Sequence, residues 1–191
     1  MKKIIGLTIA FMLLIGMAGI GTWAYFSDVE ASTGNQMTAG TLDLKTDNED
    51  GVSQTLFATN MAPGDTVGPE TITLKNTGSV DGSTLDLVFS YIENDGSFNL
   101  VDKTEDETAA MLEVTVLNYD VSSLLGSISD FQPNGYTDIE DLKNADLSGQ
   151  SGIGAAPASK DFQIAVKLRD DTVSDFQSDG ITVTMTFTLN Q

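Results

Sequence analysis

In the stretch Ile181 to Leu189 every odd position is apolar and every even one is threonine. That two-residue period predicts a half-buried strand with one face in a core. Phe162, Ile164, Val166 and Leu168 alternate with Gln163, Ala165, Lys167 and Arg169 in the same way. Asp170 to Gly180 reads as their polar connection, so an antiparallel pairing of these two strands is the simplest expectation. Leu42 and Leu44, then Ile72 and Leu74, mark two earlier strands among Thr, Asp and Lys. Leu85 to Ile92 is apolar on both sides, with Leu85, Leu87, Phe89 and Tyr91 opposing Val88 and Ile92, and reads as a central strand covered on each face. Leu112, Val114 and Val116 form another strand, in which Leu117 breaks the alternation.

Two stretches depart from this pattern. Thr104 to Met111, rich in acids and alanine, predicts a helical turn with Thr104 or Asp106 as N-cap. Asp120 to Pro157 is a long insertion rich in Gly, Ser and Asp, in which Ile139, Leu142 and Leu147 suit a short helix and the rest belongs on the surface. Gly149 to Ser159 reads as a flexible loop, without the lysine and strand-to-helix context of a P-loop. Short strands parted by turn residues argue for one all-β domain, a two-sheet antiparallel sandwich of the jelly-roll or immunoglobulin-like kind.

Ahead of it, Lys2 and Lys3 precede an apolar run from Ile4 to Ile20 and the exit Gly21-Thr22-Trp23-Ala24. Basic end, apolar core and small-residue exit are the order of a secretory signal peptide, cut between Ala24 and Tyr25. The run of about seventeen residues is at the lower limit for a membrane-spanning helix, which leaves a retained anchor as the alternative. The chain thus divides into a leader over residues 1–24, an N-terminal segment over 25–37, and a sandwich domain over 38–191 with its insertion at about 120–157. Tyr25 to Met37 has no strong turn signal before Gly34 and carries the β-compatible residues Tyr25, Phe26, Val29, Ala31 and Thr33. An extended terminus of this kind can add itself as a donor strand to the sheet edge of a neighbour. Repeated head to tail without closure, that contact builds a filament. An unpaired terminus is the plain alternative.

The junction Gly21-Thr22-Trp23-Ala24-Tyr25-Phe26-Ser27-Asp28 resembles that of the TasA and camelysin family, which includes bacterial biofilm-fibre subunits and archaeal bundling pilins. Ala39-Gly40-Thr41-Leu42-Asp43-Leu44 is similar to the family's first strand of the mature domain, and Ala62-Pro63-Gly64-Asp65 to its next turn. Leu74-Lys75-Asn76-Thr77-Gly78-Ser79 is similar to the turn after its third strand, and Asp161 to Leu189 to its last two strands. The resemblance implies an extracellular fibre subunit that polymerises by donor-strand complementation after a dedicated signal peptidase has acted. Camelysin-type relatives also carry a description as metalloproteases.

Charge and composition narrow the chemistry. The chain holds 28 acids against nine bases, a net charge of −19. Without residues 1–24, which contribute two lysines and no acid, 167 residues carry −21. Such a surface repels nucleic acid and anionic membranes, and opposes self-association unless salt or cations intervene. There is no cysteine and no histidine, so a Ser-His-Asp triad, a cysteine nucleophile and histidine-based zinc motifs are excluded, and the core alone must hold the domain. No enzymatic activity is expected.

Calcium is the one cofactor with candidate ligands. Asp47, Glu49 and Asp50 crowd one loop, and Asp170 and Asp171, with Asp175 and Asp179 nearby, crowd another. The first is not an EF-hand, since aligning Gly51 to the invariant glycine puts Thr46 at the first ligand and Phe57 at the last. The alternative to a filament subunit is an adhesion module using Tyr119, Phe131 and Tyr136, or a minor anchoring subunit of a fibre; a secreted protease ranks below both. The expected partners are copies of the chain itself, in filaments that bundle when the charge is screened, at the cell surface or outside it.

Overall fold

A computed structural model describes residues 27–31, 42–47, 61–94 and 101–191, the first of these spans as backbone. Among them run strands β1 (Ser27–Ala31), β2 (Leu44–Thr46), β3 (Thr66–Asn76) and β4 (Thr84–Glu93). Helix α1 (Glu105–Ala109) leads into β5 (Leu112–Tyr119) and β6 (Ser122–Ser123). Helix α2 (Ile139–Asn144), β7 (Leu147–Ser151), β8 (Ser159–Leu168) and β9 (Ile181–Asn190) complete the order.

The strands form two antiparallel sheets, β1-β9-β4-β7 and β2-β3-β8-β5-β6. Apart from the short β2, this is the strand order of a jelly roll, in which the chain passes repeatedly between two layers. The expected all-β sandwich is therefore the observed fold.

The layers meet through the alternating apolar positions. Leu85, Leu87, Phe89 and Tyr91 of β4 and Met185, Phe187 and Leu189 of β9 face Ile72 and Leu74 of β3 and Phe162, Ile164 and Val166 of β8, all buried. Phe162 and Phe187 meet edge to face at 5.3 Å between centroids, and Phe89 approaches Phe162 at 6.4 Å. Burying one such ring contributes about 1.5–3 kcal/mol, and an aromatic contact adds about 0.5–1.5 kcal/mol.

The sequence pairs β8 with β9, and here the fold differs. β8 pairs with β3 and β5, whereas β9 pairs with β4 and β1 in the opposite sheet. Each strand has one apolar face, and stacking those faces across the layer gap buries both; side-by-side pairing would need other strands to cover them. The eleven residues from Asp170 to Gly180 easily span the roughly 10 Å between layers.

Other departures have local causes. β4 is central by pairing, lying between β9 and β7, but its second face is open to solvent, with Val88 58% and Ile92 68% exposed. The irregular Leu117 follows from a bulge in β5. Val114 pairs with Val166 and Val116 with Ala165, so Thr115 is the extra residue. After it the inward phase shifts, and Leu117 and Tyr119 enter the core. Helix α1 forms where a helical turn is expected, and in the insertion so does α2, but Leu147 opens a strand, and the supposed loop from Gly149 includes the end of β7. Leu124, Ile139, Leu142, Leu147 and Ile153 are all buried, so this region also caps the core.

Asn76, wholly buried, fixes the turn after β3: its side chain donates to the carbonyls of Val80 and Ile153 and accepts from Gly78 N–H. Nearby, Gly152 donates to Ser83 O at 3.1 Å, and a methyl group at Gly152 would overlap the backbone of Gly82 and Ser83. Gly152→Ala is expected to cost about 1–3 kcal/mol, each kcal/mol lowering Tm by about 2–4 °C in a chain of this size. Gly126→Ala, where an added methyl meets nothing within 4 Å, should stay within about 0.5 kcal/mol. Thermal melts followed by circular dichroism compare the two.

Candidate functional site

The first candidate is the sheet edge built by β1 and β9. β1 pairs Ser27 with Asn190, Asp28 with Leu189, Val29 with Thr188, Glu30 with Phe187 and Ala31 with Thr186. Among the described residues, β9 is its only ladder partner, and β9 residues 181–185 have none on that side. The expected donor-strand residues Val29 and Ala31 thus lie in a strand at a sheet edge, at register positions opposite the outer-facing threonines. Asp28 and Glu30 lie opposite the buried Leu189 and Phe187. Tyr25, Phe26 and Thr33, with the Ala24–Tyr25 junction, lie outside the described residues.

The second candidate is a polar cleft where α1 and α2 cover one end of the sandwich, lined by Asp106, Gln132, Asn134, Glu140, Arg169 and Phe176 among others. Both helices start on capping boxes. Thr104 accepts from Glu107 N–H while Glu107 accepts from Thr104 N–H, and Asp138 and Asp141 do the same for α2. The first box fixes Asp106, whose Oδ1 accepts from Tyr91 Oη at 2.6 Å and Lys143 Nζ at 2.8 Å. These two bonds, that to Lys143 foremost, hold the Asp106 carboxyl below the usual aspartate range. Burial, then the bond to Asp106, pushes the Tyr91 hydroxyl far upward. Lys143 also sits 4.3 Å from the centroid of the Tyr91 ring.

Arg169 closes the other wall. Its guanidinium is bidentate to Asp171 at 2.6 and 2.9 Å, donates to Ala110 O at 3.2 Å, and stacks 4.0 Å from the Tyr136 ring centroid. The pairing holds Asp171 low. Asp138 and Glu140 are buried, and desolvation is the main reason both carboxyls are raised. The ion pairs and capping bonds make this cleft a clamp that fixes two helices to β4 and the end of β8.

The calcium candidates sit apart from it or within its ion pairs. Asp47 accepts from Thr73 N–H at 2.9 Å beside β2, and Glu49 and Asp50 lie outside the described residues. Asp170 pairs with Lys167 at 2.6 Å, and Asp171 with Arg169. Of the aromatic candidates, Tyr119 is buried and donates to Ser151 O at 2.7 Å, whereas Phe131 and Tyr136 are exposed. The sequence reading missed the bond between Tyr91 and Asp106 across fifteen positions and the packing of Arg169 on Tyr136. The Thr104 cap was its only local trace.

The family model for camelysin metallo-endopeptidase matches residues 1–191. The chain belongs to the camelysin family. The resemblance carried by the leader junction, the Gly40-Thr41-Leu42-Asp43-Leu44 segment and the closing strands thus extends over the whole sequence. Comparison with curated proteins gives no match. The family's description implies a metal-dependent peptidase, and the side chains fit such a centre poorly. The sequence supplies neither histidine nor cysteine, and among the described residues no three acidic side chains converge to hold an ion. No step through a metal follows from this geometry.

The raised carboxyls have a pH consequence. A group whose pKa is higher folded than unfolded binds more protons in the folded state, so stability falls as pH rises from the ordinary carboxylate range through the folded pKa. Asp138 and Glu140 contribute that slope; Asp106 and Asp171, held low, contribute the opposite one at more acid pH. Glu140→Gln keeps the shape and removes the charge. It should flatten the fall and raise Tm at pH 7 by about 2–4 °C, what roughly 1 kcal/mol is worth at this size. Melts at pH 4 and 7 on both proteins measure it.

Proposed function

We propose that this camelysin-family chain is a secreted structural subunit that polymerises head to tail into an extracellular filament, with the segment from Tyr25 to about Asn35 as donor strand. The observation that carries the reading is the placement of β1: a five-residue strand at a sheet edge, whose only ladder partner among the described residues is β9. A strand held that way can leave its own β9 and re-form on the β9 of a neighbour the ladder bonds it gives up. The exchange is then nearly neutral in backbone bonding, and the released edge of each subunit accepts the next.

The leader supports the same reading. Cleavage after Ala24 puts Tyr25 at a free amino terminus two residues before β1, where no preceding chain would obstruct exchange. The aromatic cluster that holds the two layers together is built from Phe89 of β4, Phe162 of β8 and Phe187 of β9. The acidic surface, −21 after cleavage, keeps subunits apart until a specific contact forms. The carboxylate arrangement serves the fold, and no enzymatic role is assigned to it.

The chain has no cysteine, so an engineered pair reports on register without background. Val29 and Thr188 are directly opposite, which places their Cα atoms about 4.5–5.5 Å apart, within disulfide reach. With Val29→Cys and Thr188→Cys together, the processed chain should give under mild oxidation a ladder of covalent oligomers on a non-reducing gel. The same material should show filaments by electron microscopy. A single band of internally bridged monomer would overturn strand exchange. Deleting residues 25–35 should leave a β-rich monomer that does not polymerise, as judged by circular dichroism and sedimentation.

A further inference from the structure

We infer that the outer face of the β9-β4 sheet is a contact surface for a second copy of this chain. Antiparallel pairing sets Val88, Ser90 and Ile92 opposite Thr186, Thr184 and Thr182. Val88 is 58% and Ile92 68% exposed, and the threonines are partly exposed beside them, a run of methyl groups and hydroxyls with no charge between Asp86 and Glu93. Asp86 at its border is already committed, accepting from Gly149 N–H and Asn190 Nδ2, both at 2.8 Å.

The other sheet of the same sandwich makes the contrast. Its outer face carries Lys75, Asp161 and Lys167, and its polar side chains bond one another: Thr73 to Asp161 at 2.8 Å, Gln163 to Thr71 at 3.2 Å, Asn118 to Gln163 at 3.2 Å. That face is finished by its own hydrogen bonds. The β9-β4 face exposes two large aliphatic side chains instead, on a protein with three acids for every base.

Charge selects the occupant. A basic partner would be drawn to the acidic surface and would have no use for an uncharged patch. A copy of the chain brings the same net charge, so it can approach closely only where both surfaces lack it. A two-fold contact sets the same patch against itself, and a patch without charge meets its copy there without like-charge repulsion. It also adjoins the β1 edge, where Val29 and Ala31 occupy register positions opposite Thr188 and Thr186. Two strands of five residues cover only about 17 by 10 Å, well below the roughly 800 Å² per partner of a stable complex. One such contact is therefore weak, and a row of them along a filament adds up. It uses a different surface from strand exchange and needs no filament to form.

The test is cross-linking of the monomeric fraction of the processed chain, again exploiting its lack of cysteine. Val88→Cys treated with a short bis-maleimide at high protein concentration should give a dimer band. Thr71→Cys, at a comparable place on the other sheet, should give none. Adding Thr184→Glu to Val88→Cys should abolish the band, because it puts like charges into the contact on both sides, while circular dichroism confirms the fold. Equal dimer from the two single-cysteine variants, no dimer from Val88→Cys, or a band indifferent to Thr184→Glu would each overturn the inference.

Discussion

The edge-to-face contact of Phe162 with Phe187 is the constraint from which the rest of the sandwich follows. Both rings are wholly buried, one from each sheet, so β8 and β9 must stack across the core and cannot pair side by side. Once they are stacked, β8 takes β3 and β5 as neighbours and β9 takes β4. The connection from Asp170 to Gly180 must then climb from one layer to the other. Arg169, at the foot of that climb, is anchored by Asp171, Ala110 O and Tyr136, which fixes where the chain leaves its sheet. The same stacking leaves β9 with a side that, among the described residues, pairs with β1, so the aromatic pair also sets the edge on which assembly would depend.

Much of this was legible because a two-residue period reports burial directly. Ile181 to Leu189 and Phe162 to Leu168 declared their inner faces, and the buried residues of β3 and β4 are the ones their alternation marks. What alternation cannot report is the partner of a strand, since pairing depends on which faces must meet. That is why adjacency in sequence wrongly suggested a β8–β9 hairpin. A bulge is equally hidden, because Thr115 looks like any other residue until its neighbours across the ladder are known. Leu147 to Ser151 escaped notice because an edge strand with Gly149 at φ +69 has little side-chain pattern to show. Exposure is hidden in both directions: Val88 and Ile92 read as a second buried face yet lie open to solvent, and Tyr119 reads as a surface aromatic yet is buried.

The polar cleft was the least legible part, for a different reason. Its parts come from α1, β4, α2 and the end of β8, so that Asp106 meets Lys143 across thirty-seven positions. A carboxylate in so acidic a chain carries no local sign of its partner. The few cations are nonetheless placed with economy: Lys103, Lys143, Lys160, Lys167 and Arg169 each pair with an acid and, except for Lys167, also lie over an aromatic ring. Exposed pairs of this kind contribute about 0–1 kcal/mol each, so their larger effect is on where charge is absent.

That absence bears on how an acidic protein could associate at all. Long-range repulsion between copies is screened beyond about 8 Å at physiological ionic strength, but at contact it acts on every acid that faces another. Backbone pairing at the β9 edge avoids the problem, because its hydrogen bonds are directional, saturable and indifferent to the sign of side chains pointing elsewhere. A face without charge avoids it by another route. The two surfaces adjoin along β9, whose threonines carry the outer face and whose far side receives β1. A single strand thereby presents a hydrogen-bonding edge in one direction and an uncharged face in another, while Met185, Phe187 and Leu189 on its third side hold it to the core. Rigid anchoring of that inner side is what would let both outer contacts form without an ordering cost to the strand itself.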